Sequence, residues 1–217
     1  MASGARRRPK SQRYTSKSFR PYTLALGQLA LAWNGLHETL AQLYCRLMGG
    51  GLMGKGPANQ HLAVWHALKM DRAQREILLA AAKSNTWGAV PVTLIEDIEW
   101  ICGRADVIED ARNDSLHSPL WADERNPASA IVKPVTFLGH VRAGKLFDKD
   151  LLTEFRWCRD AAMALDDYAI GIADSLFDPM KPWPDRPVWL NRGRPKKPNP
   201  RHVRTTKRLP PHRPSRA

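Results

Sequence analysis

Acidic residues are missing from both ends of this chain. Residues 1–20 and 186–217 contain no Asp or Glu but seven and eleven Lys or Arg, so the two ends together hold +18. Residues 21–185 carry sixteen basic against twenty-one acidic groups, or −5, which accounts for the +13 of the whole. The pI of about 10.1 therefore belongs to the ends and not to the body. Two cationic arms on a mildly acidic body point to polyanionic partners, held by a salt-sensitive and sequence-blind attraction. Cysteine is scarce as well. Cys45, Cys102 and Cys158 are odd in number, widely spaced and without a CxxC pair, which excludes a disulfide framework and a zinc knuckle and suits a reduced, intracellular chain.

Long apolar runs are also lacking. Nothing approaches the ~18 residues of a membrane span. The N-terminal arginines lead into Tyr, Ser and Lys where a signal peptide would have its hydrophobic region, so no membrane association and a cytoplasmic location are expected. Residues 1–20 and 181–217 have too few apolar groups to offset chain entropy, and both are expected to be disordered basic arms around a helical domain at 21–180. Within the tail, Arg192, Gly193 and Arg194, followed by Pro195, Lys196 and Lys197, have the form of an AT-hook core, in which an extended Arg-Gly-Arg lies in a narrow A·T minor groove. A general phosphate-binding arm is the plainer reading of the same residues. Either brings RNA or DNA to the body.

Metal-ligand and nucleotide motifs are absent or incomplete. His61 and His66 are five apart with no carboxylate at ligand spacing, so they read as packing or surface residues. The loop from Gly49 to Pro57 almost spells a P-loop, with Gly49, Gly54 and Lys55, but Gly56 stands where Ser or Thr should hold magnesium, and a helix precedes it where the motif needs a strand. No metal or cofactor is called for.

What the chain does have is helical periodicity. Leu29, Trp33, Leu36, Leu40, Leu43 and Leu47 alternate at three and four, predicting a first helix that ends at Gly49, Gly50 and Gly51. Residues 59–84 read as helix in two pieces, with a kink near Met70 where Asp71 and Gln74 form an N-cap pair. Thr93 and Glu96 open a third helix whose stripe is Leu94, Ile98, Ile101, Ala105 and Ile108. Pro119 stops it at or beside His117. Residues 119–147 break pattern, and the β-branched pieces around Pro134 and Gly144 suggest a small hairpin or excursion. Asp148 is read as the cap of a last helix with the stripe Leu152, Phe155, Ala162, Leu165, Ile172 and Leu176. An all-α fold follows, an antiparallel four-helix bundle with one small excursion before its last helix.

The stripe of the third helix runs on to Arg112, then Asn113 and, four further, His117. An arginine extending an apolar seam marks the seam's end or opens onto a cleft. Arginine, carboxamide and imidazole are the groups a metal-free phosphodiester reaction needs. The pattern R-N-x-x-x-H at the close of the third long helix resembles the HEPN superfamily (higher eukaryotes and prokaryotes nucleotide-binding), over residues 21–180 by architecture and three residues by motif. The resemblance implies a metal-independent endoribonuclease, a homodimer with two motifs in one cleft, and service as a toxin or antiviral effector with an antitoxin or activator protein. His117 would act as base or acid on the ribose 2′-hydroxyl, Arg112 would stabilise the phosphate, and Asn113 would position. On an ideal helix the five steps from Arg112 to His117 leave the two about 140° apart, so they meet only if the last turn unwinds or a second subunit supplies one. The other reading makes Arg112 a solvated seam end and His117 a dipole-stabilising residue of the last turn, in a non-enzymatic nucleic-acid-binding protein. Asp110 and Asp114 could pair with either side chain, and Trp121 could close the cleft, though packing is the plainer reading.

Overall fold

A computed structural model describes residues 17–49, 58–84, 93–122, 132–136, 139–178 and 180–189. They form α1 (Arg20–Leu47), α2 (Ala58–Ala67), α3 (Asp71–Ser84), α4 (Thr93–His117), β1 (Leu120–Ala122), β2 (Val132–Pro134), α5 (Val141–Leu146) and α6 (Leu151–Phe177). The segment 1–16, the glycine-rich loop 50–57 and the Arg192–Lys197 stretch lie outside the described residues. The fold is mostly helical. Among the described residues the sole sheet is the antiparallel pair β1–β2, with Leu120 opposite Pro134, Trp121 opposite Lys133 and Ala122 opposite Val132.

The apolar stripes form the core. Leu29, Trp33, Leu36, Leu40, Leu43 and Leu47 of α1 and Leu94, Ile98, Ile101, Ala105 and Ile108 of α4 are buried together with Leu165 and Ile172 of α6. Full burial of each such Leu or Ile is worth about 1.5–3 kcal/mol. Pro21 sits in the first turn of α1, where its missing N–H is not needed. A second, smaller cluster gathers Phe19, Ala25, Ala122, Val132, Leu146 and Phe155, and fixes the hairpin against the start of α1.

The helix directions differ from an antiparallel bundle. Gln28 meets Arg159, Gly35 faces Asp166 and Arg46 reaches Ala173, so α1 and α6 run in the same sense. Trp33 with Asp71 and His37 with Gln74 set α3 in that sense too. Only α4 among the four long helices is reversed, since Arg72 meets Asp106 and Lys83 meets Glu99. The reason is the break near Met70. Tyr44 packs on His61 and His37 on Trp65, so α2 runs opposite to α1. The break is thus a reversal and not a kink, and the extra pass turns the last helix parallel to the first.

Two boundaries also move. The cap of α6 is Asp150, whose carboxylate accepts from the N–H groups of Leu152 and Thr153. Asp148 cannot serve, because the turn after α5 occupies its position. And the stretch 181–189, expected to begin a disordered tail, is packed against the body. Trp183 Nε1 donates to Asp97 Oδ2 at 2.8 Å, and Arg186 Nε donates to Asp97 Oδ1 at 2.5 Å. Trp189 stands edge-on to Trp100 and Trp157 with the Arg104 guanidinium 4.9 Å from its ring. Proline and arginine composition suggested disorder, but two tryptophans and a buried carboxylate outweigh the ordering entropy.

Candidate active-site cleft

Where α1, α2, α3 and α4 meet, a cleft of about 200 Å³ is lined by Trp33, Asn34, His37, Glu38, Trp65, His66, Asp71, Gln74 and Arg112. That is smaller than the roughly 300–1,000 Å³ of a site that swallows a drug-sized ligand. It suits one charged group of a larger molecule.

Arg112 enters the cleft because helical periodicity carries it round from Ala105 and Ile108 to the end of the buried seam. Its guanidinium lies 5.5 Å from the Trp33 ring centroid, Nη1 donates to Asn113 Oδ1 at 2.9 Å, and Asp71 Oδ2 is 3.8 Å away. Buried Nε has no hydrogen-bond partner among the described residues. The Asp71 carboxylate instead takes the Trp33 Nε1–H at 2.9 Å. Arg112 is therefore a cation with unused donors at the wall of an open cleft, the arrangement an oxyanion completes.

The imidazole beside it comes from α1. Gln74 donates through Nε2 to the carbonyls of Trp65 and Leu68, which turns Oε1 toward His37 Nδ1 at 3.1 Å. Nδ1 is thereby the protonated nitrogen, and Nε2 accepts from Arg75 Nη1 at 3.3 Å. Trp33 packs against the ring, with centroids 4.7 Å apart. Burial, the largest influence, and the Arg75 charge hold the pKa of His37 below 6.5, while Asp71, Gln74 and Glu109 work the other way. The neutral tautomer with its lone pair on Nε2 is favoured, and Arg75 occupies that lone pair, so the ring can act as a general base only when Arg75 gives way.

Arg75 is 2% exposed. Burial opposes its charge, but hydrogen bonds to Asp106 at 2.6 Å and to Glu109 outweigh that and raise its pKa. Because both carboxylates are engaged by Arg75, neither is left to neutralise Arg112.

Of the residues the sequence singled out, Arg112 and Asn113 are together, and Asn113 steadies the guanidinium. His117 is elsewhere. The helix stays regular through His117, so the last turn does not unwind and the separation of about 140° stands within one chain. His117 is exposed, absent from the cleft wall and without a hydrogen-bond partner among the described residues. His37, Gln74 and Arg75 were missed as site residues. Asp71 and Gln74 stood out only as a capping pair, yet their side chains are spent on Trp33 and His37. Among the described residues no three His, Cys, Asp or Glu side chains are grouped to hold a metal ion. Comparison with known proteins finds no matching family model, no matching curated protein and no matching solved structure.

Proposed function

We propose that the chain is a metal-independent endoribonuclease of the kind the R-N-x-x-x-H resemblance implies, but with the cleft imidazole His37 as its base. The observation that carries this reading is the pairing, in one open cleft, of an under-satisfied guanidinium, Arg112, with a histidine held neutral and in a fixed tautomer. The 2′-hydroxyl gives its proton to His37 Nε2, once Arg75 Nη1 has moved off that lone pair, as its oxygen attacks the adjacent phosphorus. The bond from phosphorus to the 5′-oxygen breaks, and that oxygen takes a proton from water or from His66 at the cleft wall. Charge building on the phosphoryl oxygens is met by the free donors of Arg112, worth about 2.7–4 kcal/mol for one well-placed donor. The products are a 2′,3′-cyclic phosphate and a 5′-hydroxyl. The basic arms at 1–16 and 190–217 supply sequence-blind attraction for the strand.

The test is incubation of the full chain with several RNAs in EDTA, with the new ends mapped. Cleavage that Arg112→Ala and His37→Gln abolish and His117→Ala spares is the expected result. Loss in His117→Ala with His37→Gln active would return the base to the motif histidine, supplied across two subunits. Wild-type protein inert on every RNA would leave the non-enzymatic nucleic-acid-binding reading.

A further inference from the structure

Most polar side chains on the cleft wall are already engaged. Asp71 accepts the Trp33 Nε1–H, and Gln74 is spent on two carbonyls and on His37. Asn34 and Glu38 line the same cleft, are exposed, and have no hydrogen-bond or ion-pair partner among the described residues. They are therefore the amide and the carboxylate of the wall left for a ligand. Exposed Asn and Glu are ordinary on a protein surface. These two are set apart by standing in one recess with Arg112 and His37.

The two side chains act as a pair. Four residues apart on α1, they share a helix face, with their Cβ atoms about 5–6 Å from each other. His37 lies between them in the chain and reaches the same cleft, so a ribose that brings its 2′-hydroxyl to His37 holds its base next to Asn34 and Glu38. An ionised carboxylate only accepts hydrogen bonds, through two oxygens, whereas an amide both donates and accepts. What they fit together is a base edge with two neighbouring donors and an acceptor.

Guanine alone among the RNA bases has that edge, with N1–H and N2–H side by side and O6 next to them. Adenine and cytosine set a ring-nitrogen lone pair beside their amino group, which a carboxylate repels, and uracil has a single N–H between two oxygens. We infer that Asn34 and Glu38 select guanine as the base of the nucleotide whose 2′-hydroxyl attacks, with Glu38 accepting from N1 and N2 and Asn34 Nδ2 donating to O6. Hydrogen bonds to a carboxylate are charge-assisted and, when paired, fix direction as well as strength. The Watson–Crick edge is free only in an unpaired base, so the guanine accepted is one in a loop or a single strand. Cleavage then leaves guanosine 2′,3′-cyclic phosphate at the new end. The inference rests on the ribonuclease reading and names the base that its site accepts.

The experiment gives the full chain, in EDTA, fluorescein-labelled oligouridine 12-mers whose central residue is uridine, guanosine, adenosine, cytidine or inosine, and reads kcat/KM at that step. Guanosine is expected to exceed adenosine, cytidine and uridine by about 10- to 150-fold, the worth of hydrogen bonds to a charged acceptor. Inosine, which lacks the N2 amino group, falls between. Glu38→Gln shrinks the preference for guanosine to a few-fold, and Asn34→Ala lowers it by about 2- to 10-fold. The thermal midpoint stays unchanged in both variants, because both side chains are exposed. Equal cleavage at every base by wild type, or a preference for another base, overturns the selection and leaves the ribonuclease reading standing. An equal loss at every base in Glu38→Gln makes that carboxylate part of the chemistry and also overturns the selection. No cleavage of any oligomer by wild type overturns both.

Discussion

Arg75 donates from Nη1 to Nε2 of His37 at 3.3 Å, so a buried cation holds the lone pair that must be freed before this nitrogen can take the substrate proton. The consequence is a pH dependence with a definite sign. Burial and Arg75 hold the His37 pKa below 6.5, against Asp71, Gln74 and Glu109. If His37 is the base, kcat/KM rises with pH through an ionisation below the ordinary histidine value of about 6.5. Stability carries the same sign. Below ~6.5 the unfolded chain protonates at this position while the folded chain stays neutral, so folding weakens as pH falls between the unfolded and folded values. Chemical denaturation of wild type and His37→Gln at pH 7.5 and 5.5 checks this. The variant should lose less stability on acidification, and an equal loss in both would contradict it.

Arg112 has donors to spare, so an oxyanion should stabilise the folded chain by occupying them. Inorganic phosphate is expected to raise Tm of wild type in a concentration-dependent way and to leave Arg112→Ala unaffected, following the linkage of binding to folding. The substitution itself should cost only about 0.5–2 kcal/mol, the loss of the contact with Trp33. Arg112→Lys keeps the charge but loses the planar fork, so weak phosphate stabilisation with most cleavage lost is expected. Differential scanning fluorimetry and the cleavage assay read both.

Removing Arg75 should cost far more. It ties α3 to Asp106 and Glu109 on α4 and to His37 on α1. Arg75→Ala leaves a void, removes the hydrogen-bond partner of Glu109 and leaves Asp106 with Arg72 at 3.8 Å. Because Asp106 is 44% exposed and Glu109 19%, water offsets part of the loss, and about 2–4 kcal/mol is expected in urea denaturation, short of the 3–5 kcal/mol of a fully buried pair.

The strap at 181–189 makes the two ends of the tail separable. Truncation after Trp189 should leave Tm unchanged and weaken nucleic-acid binding in a salt-dependent way. Truncation after Met180 also removes Trp183, Arg186 and Trp189, and should lower stability by about 2–4 kcal/mol, or roughly 5–15 °C in Tm. Gly171 tests the strap's seat, because a Cβ there would come within 3.0 Å of Pro184. Gly171→Ala should therefore lower Tm, and should have no such effect once the strap is gone.

The helices and their inward faces were legible in the letters, because burial follows a period of 3.6 that no distant residue is needed to set. Thr93–His117 is the helix the caps and Pro119 predict, and the position of Arg112 at the end of its buried seam follows from the same repeat. Its partner was not legible. His37 meets Gln74 and Arg75 across 37 and 38 residues of chain, and only the reversal near Met70, which sets α3 parallel to α1, brings them together. Composition likewise misread 181–189, since the carboxylate that anchors the strap, Asp97, lies 86 and 89 residues away from Trp183 and Arg186. Periodicity along one helix determined which side chains point inward. Which of them share a cleft was decided by the directions in which helices far apart in sequence pack, and by the free energy of burying their faces together.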